Sequence, residues 1–187
     1  MTFNINEFKS EGLQFGGAKA SLFKVDLVWP SAVGDLGGAG SKGQFLIQAS
    51  TLPPSEMGTI EVPYFGRKIK LAGDRTFGEW SVTVMNDEDF LIRDNVENWM
   101  ARINSHEANL RETGQSPSTY KSQANITQYG KDGRALKIYT FIGLYPSNVA
   151  EIAMDWDTTD DIERFDVTWQ YDYWTVSGQN GAANNMG

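Results

Sequence analysis

The segment Asp155-Trp156-Asp157-Thr158-Thr159-Asp160-Asp161-Ile162-Glu163 concentrates the groups in this chain best able to hold a cation, because alternate carboxylates are how a calcium loop is built. The match fails at defined points. Thr159 stands where the third ligand belongs and Asp160 where a glycine makes the sharp turn. The place of the bidentate glutamate falls on Asp166, inside an expected strand. The segment therefore reads as a turn between strands. Asn86-Asp87-Glu88-Asp89 offers carboxylates of the kind a glycosidase uses as an acid/base pair. A helix start explains it more simply, with Asn86 as cap, Asp89 at the third position and Met85 and Phe90 as a hydrophobic staple. Gly37-Gly38-Ala39-Gly40 has the glycine content of a phosphate-cradling loop, but it lacks the Gly-Lys-Ser/Thr ending and no helical pattern follows it. The sole histidine, His106, falls beside Glu107 at an expected helix end, where the dipole favours a solvated imidazole. With no cysteine there is no disulfide, thiol nucleophile or thiolate metal site. No set of ionisable groups converges, so the expectation is no catalytic residue, no metal and no cofactor. Six tryptophans and seven tyrosines allow a sugar-stacking platform, which makes a carbohydrate-binding module the alternative class, although Trp80, Trp99 and Trp169 lie on expected core faces.

The elements that would position these groups are mainly strands. At 187 residues, 40% hydrophobic and 21% charged, the chain suits one globular domain over 1–187, with an N-terminal arm over 1–20 and a C-terminal tail over 177–187. Its apolar runs are a few residues long, far short of the ~20 a membrane-crossing helix needs. The N-terminus has neither a basic leader nor an apolar stretch, so no signal peptide is expected. Phe23 to Trp29 alternates apolar and polar residues and ends at Pro30, as a half-buried strand does. Residues 31–43 are glycine-rich and read as a long flexible loop. Strands are expected over Gly43–Thr51, over Thr59–Val62 with Arg67–Leu71 as a hairpin around Pro63-Tyr64-Phe65-Gly66, and over Thr76–Met85. Ile92, Val96, Trp99 and Ile103 form one apolar stripe, which predicts the one substantial helix over 87 to about 104, ~27 Å long. Residues 105–120 read as a surface loop. Leu136, Ile138, Ile142 and Leu144 then share one strand face and Tyr139, Phe141 and Tyr145 the other, so one face needs a partner. Phe165, Val167, Trp169, Tyr171 and Tyr173 line the last strand. The pattern predicts a mainly β (α+β) fold: two packed antiparallel sheets forming a sandwich or partly closed barrel with one flanking helix.

The net charge of −8 argues against a surface that grips nucleic-acid phosphates. In the nearest basic cluster, Arg67-Lys68-Ile69-Lys70, alternation sends Lys68 and Lys70 to one face and Ile69 and Leu71 to the other, as in an edge strand.

The stretch from Leu52-Pro53-Pro54 through Arg67-Lys-Ile-Lys-Leu-Ala-Gly-Asp-Arg-Thr-Phe-Gly-Glu-Trp-Ser-Val-Thr-Val-Met-Asn86 closely resembles the tail tube family of contractile-tailed, T-even-like bacteriophages. Gly143-Leu-Tyr-Pro-Ser-Asn-Val149, Asp155-Trp-Asp157 and Asp172-Tyr-Trp174 are similar to that family in order and spacing, and the resemblance spans roughly 20 to 175. The resemblance implies a non-enzymatic structural virion protein, made in the host cytoplasm and residing in the tail. Its partners would be further copies of itself in stacked hexameric rings, a contractile sheath, and baseplate and tail-terminator proteins. DNA would pass through the lumen without specific binding, and no membrane is involved. The resemblance places Arg67, Lys68, Lys70, Gly73, Asp74 and Arg75 in a hairpin that contacts neighbouring subunits. The inner tube of another contractile injection or secretion system is the nearest alternative.

Overall fold

The computed structural model describes residues 5–13, 16–110, 116–157 and 159–178. Two short helical turns, Ile5–Glu7 and Phe8–Gly12, precede β1 (Phe23–Leu27). Then follow helix α1 (Ala39–Leu46), β2 (Ile47–Ser50), the long β3 (Ser55–Tyr64) and β4 (Arg67–Phe77), β5 (Trp80–Met85) and helix α2 (Leu91–Ile103). A helical turn, Pro117–Tyr120, leads into β6 (Ser122–Tyr129), β7 (Ala135–Val149), β8 (Arg164–Gln170) and β9 (Tyr173–Gly178). The expectation of antiparallel strands flanked by a helix holds. Seven strands form one sheet in the order β1-β6-β7-β8-β5-β2, with β9 added on β7, while β3 and β4 stand apart as a two-stranded hairpin.

Strand β7 shows how one sheet becomes two packed halves. Its residues 135–144 pair with β6, and Lys137 to Ile142 pair with β9 on the other side. Residues 145–149 pair instead with β8. The changeover is at Gly143, whose φ of 73° puts one extra residue into the strand opposite Ser122 and Gln123. The extra residue moves the inward side from odd to even numbers: Phe141 before it and Leu144 after it are both fully buried. The bulge thus brings Leu144 onto the core face of Tyr139 and Phe141, while Leu136, Ile138 and Ile142 stay half-buried on the other face, outside the core. The predicted last strand is likewise two strands. The chain steps across at Tyr171-Asp172, where the Asp172 N–H donates to the Ile142 carbonyl at 2.9 Å. A Cβ on Gly143 would lie 2.1 Å from Asp172 Oδ2, so Asp172 would have to leave its 2.5 Å ion pair with Lys121. Gly143→Ala is therefore expected to lose about 2 kcal/mol, mostly from the left-handed backbone. The loss should appear in thermal melts of dispersed subunits, and an unchanged melting temperature would show that the bulge can shift elsewhere.

The two halves close on Trp80, Trp169, Phe141, Val82, Val167 and Val25, all buried, and Trp80 stacks flat on Phe141 with centroids 4.6 Å apart. Helix α2 covers this core with Ile92, Val96 and Trp99, as the stripe predicts, and Trp99 meets both Trp29 and Trp169 edge-on or tilted. Its start differs from the expected cap. Asn86 extends the strand pairing instead, its N–H and Nδ2 donating to the Glu163 carbonyl and carboxylate, and Phe90 in a left-handed conformation (φ 51°) begins the helix. Asp87 and Asp89 accept from the Glu88 and Leu91 N–H groups and hold the Lys42 ammonium between them. The hydrogen bond from Lys42 is the main reason both carboxyl pKa values fall, and the bond to Asp87 is the main reason the lysine's rises.

That clamp belongs to the second correction. Residues 31–43 are not a loop throughout, since Gly37 and Gly38 in left-handed conformations turn the chain into α1. Val33 and Ala39 are buried there, so packing supplies what glycine-rich sequence lacks. The strand expected from Gly43 begins at Ile47, after α1 ends. Strand β4 reaches Phe77 and the next strand starts at Trp80, not Thr76. Ser177 and Gly178 close β9, and the rest of the expected tail lies outside the described residues, as does the start of the arm.

Candidate assembly surface

Strands β3 and β4 carry all six residues singled out from sequence as subunit contacts: Arg67, Lys68, Lys70, Gly73, Asp74 and Arg75. The hairpin is longer than predicted, and its turn is two residues, Phe65 (φ 43°) and Gly66 (φ 80°), whose paired left-handed backbone matches the twist of the strands. Near its base Gly58 lies against Gly73 and Asp74, two residues facing one, and a Cβ on Gly73 would sit 3.1 Å from the Gly58 carbonyl carbon. Gly73 is therefore needed for close backbone approach at a bulge.

Register sorts the side chains onto two faces. Ile60 opposes Leu71, Val62 opposes Ile69, and Tyr64 opposes Arg67; Glu61 opposes Lys70, and Pro63 opposes Lys68. Opposed residues share a face. One face is thus apolar and the other charged, with Lys68 bridging diagonally to Glu61 at 2.6 Å. The predicted split of Lys68 and Lys70 from Ile69 and Leu71 holds. Every residue of β3 is exposed, and the apolar residues Ile60, Ile69 and Leu71 each keep about half their surface in water (54%, 51% and 52%). Among the described residues, Arg67, Lys70, Asp74 and Arg75 form no ion pair within the subunit.

The base of the hairpin is anchored by aromatic packing. Phe77 meets Tyr171 and Trp174 with ring centroids about 6 Å apart, and the Tyr171 hydroxyl donates to the Gly78 carbonyl at 2.5 Å. Burial pushes that hydroxyl's pKa up to about 12, so it stays a donor through the neutral range.

The other candidate chemistries fare differently. Asp155 Oδ1 accepts from the Asp157 N–H, and Asp161 pairs with Arg164 at 3.1 Å; among the described residues no three acidic or histidine side chains converge. A helix does follow the 37–40 glycines, contrary to the sequence reading, but the Gly40 N–H is taken by Asp35 Oδ1 at 2.9 Å rather than left for an anion. Trp80, Trp99 and Trp169 are fully buried, and Trp29 and Trp174 are partly buried, so these five tryptophans are not set out on the surface for a sugar to stack on. Trp156 is the exception. It is 100% exposed, with Met154 at 81% and Ile162 at 59% on the same β7–β8 connection. Their exposure was not expected from the sequence; the available signal was apolar residues of no periodicity set among carboxylates.

The phage tail tube protein family profile matches residues 18–177. The tail tube protein gp19 of Enterobacteria phage T4 is 37% identical over 158 residues, covering 84% of this chain and 90% of that one. The tail tube protein of Serratia phage KSP90 is 23% identical over 168 residues, 89% and 93% of the two chains. Among solved structures, a chain of the anti-feeding prophage baseplate superposes with a TM-score of 0.65 at 10% identity, covering 87% of this chain and 96% of that one. A chain of the PVC sheath–tube complex in its extended state gives 0.58 at 14% identity, over 95% and 99%. At such identities these structures speak for the fold alone.

Proposed function

The chain belongs to the phage tail tube protein family, and from that premise we propose that its copies close into sixfold rings and that the rings stack into the hollow inner tube of a contractile tail. The observation that carries this reading is the hairpin. A hairpin of 10- and 11-residue strands with one continuous apolar face in water is marginal alone and has its natural cover on a neighbouring subunit. Arg67, Lys68, Lys70, Gly73, Asp74 and Arg75 belong to that contact, Arg67 on the apolar face, Lys68 and Lys70 on the charged face behind it, and the glycine by permitting the bulge. The sheet adds a second kind of join. Strands β1, β2 and β9 each pair on one side, and their open edges can extend the sheet from subunit to subunit around a lumen.

The tube works as a passive conduit, with no catalytic role for any residue and no cofactor. Six copies carry 6 × (−8) = −48 formal charges per ring, and acids facing the lumen let DNA slide past rather than adhere. The sheath surrounds the tube, and baseplate and terminator proteins meet its ends. The subunit is made in the host cytoplasm and ends in the virion tail. The 37% identity to a phage protein, against 10 to 16% for injection-system chains, favours the phage tail over the inner tube of another contractile machine.

Negative-stain electron microscopy of the purified chain, with light scattering on the same sample, is expected to show hollow rings or tubes. A strict monomer at high concentration, even with a baseplate or preformed tube as template, would falsify the tube reading.

A further inference from the structure

The hairpin and the Trp156 connection lie at opposite ends of the same strands. The hairpin joins the sheet at the Trp80 end of β5, where Gly78 and Thr51 tie its base to Pro54 and Ser81. Residues 150–163 leave and re-enter at the Met85 end, where Arg164 faces Met85 and Glu163 receives Asn86. Five strand steps, roughly 17 Å, separate the two ends. Their chemistry is complementary. From Thr59 to Leu71 the hairpin carries Arg67, Lys68 and Lys70 against Glu61, a net 3 − 1 = +2. Residues 150–163 carry Glu151, Asp155, Asp157, Asp160, Asp161 and Glu163 and no lysine or arginine, a net −6. Each also offers apolar surface: Ile60, Val62, Ile69 and Leu71 on one side, Met154, Trp156 and Ile162 on the other.

A tryptophan wholly in solvent between two carboxylates is poorly placed for a lone subunit and well placed as an anchor, because buried aromatics framed by polar contacts dominate interface energies. The two patches do not meet within the subunit, since Trp156 is 100% exposed, and complementary patches at different places on one molecule make a heterologous, head-to-tail contact between copies. We propose, resting on the tube reading above, that the Trp156 connection of one subunit seats on the apolar face of the hairpin of a second subunit. Asp155 and Asp157 then lie against Arg67, the cation that shares this face beside Tyr64.

The absence of native cysteine allows a direct test. Ile69→Cys and Asp157→Cys are introduced separately and together, and assembled material is treated with a short bismaleimide. An equal mixture of the two single variants is expected to give cross-linked dimers that neither gives alone, and the double variant a ladder. A ladder ending at six subunits supports the contact within a ring, and one that continues supports it between rings. Normal tubes that give no cross-link in the mixture overturn the inference and leave the tube reading intact; failure of the unaltered chain to form rings or tubes on any template overturns both. Trp156→Ala, whose wild-type side chain touches nothing in the subunit, is expected to keep the fold and to raise the concentration needed for assembly about thirtyfold. Unchanged assembly, with Trp156 protected only once sheath protein is added, overturns the inference in favour of the sheath.

Discussion

Ile69→Asp is expected to give a folded subunit that forms neither rings nor tubes. Ile69 sits in the middle of the apolar hairpin face, opposite Val62, and half of its surface is in water. Covering Ile60, Val62, Ile69 and Leu71 with a second copy removes about half of each side chain from solvent, worth roughly 1 kcal/mol apiece and about 4 kcal/mol per subunit. A carboxylate at position 69 cancels one share and must itself be desolvated without a built partner, which costs several kcal/mol more. The sum weakens each contact by roughly a hundredfold or more, and a closed ring multiplies the effect because every subunit carries the lesion. The folded subunit loses little. Within the chain Ile69 touches chiefly its own hairpin, and a cross-strand pair is worth about 0.2–1 kcal/mol. Sedimentation should therefore show monomer with native near-ultraviolet dichroism, while Ile69→Val, which keeps the face apolar, should still assemble. Tubes of normal length from Ile69→Asp would remove the hairpin face from the interface.

What the sequence disclosed follows from how local each determinant is. Strict alternation from Thr59 to Leu71 reports the two faces of the hairpin directly, and the four-three-four spacing of Ile92, Val96, Trp99 and Ile103 reports which side of α2 is buried. Both signals survive because nothing interrupts the repeat. Gly143 interrupts it. One residue in a left-handed conformation exchanges the faces of β7, and a periodicity that ignores the exchange assigns Leu144 to the face of Leu136, Ile138 and Ile142 instead of to the core. Tyr171-Asp172 hides in the same way, because alternation runs from Phe165 to Tyr173 although the chain passes from the 145–149 end of β7 to its 137–142 part between them. The helix at Ala39–Leu46 was illegible for a different reason: two glycines in eight residues argue against it locally, and only burial of Ala39 and the clamp of Lys42 on Asp87 and Asp89 argue for it. The six basic, glycine and acidic contact candidates were placed by family resemblance, whereas the exposed Trp156 needed a structure, since composition cannot tell a core tryptophan from one in water.

Trp80→Ala is expected to separate the other half of the problem, the fold, from assembly. Trp80 has no exposed surface; its indole lies flat on Phe141 at 4.6 Å and 5°, tilts against Trp169 at 6.1 Å, and donates from Nε1 to Ser50 Oγ at 3.0 Å. It thus ties β5 to β7, β8 and β2 across the join between the two halves of the sheet. Truncation to alanine should cost about 3–5 kcal/mol in lost packing and residual cavity, a large share of the ~5–15 kcal/mol that holds a domain folded. At roughly 2–4 °C per kcal/mol for a chain of this size, dispersed subunits should melt about 6–20 °C lower. Trp80→Phe keeps an aromatic ring over Phe141 and gives up the bond to Ser50, so its loss should be nearer 1–2 kcal/mol. Trp80 also follows the end of the hairpin by three residues, and loosening it frees the Gly78 and Phe77 anchor on Tyr171. Assembly should then fail only as the subunit unfolds, with both recovering together on cooling or on adding a stabilising osmolyte. Ile69→Asp should recover under neither treatment, because its subunit is already folded. A Trp80→Ala chain that melts within about 1 kcal/mol of the original would mean the two halves are held elsewhere.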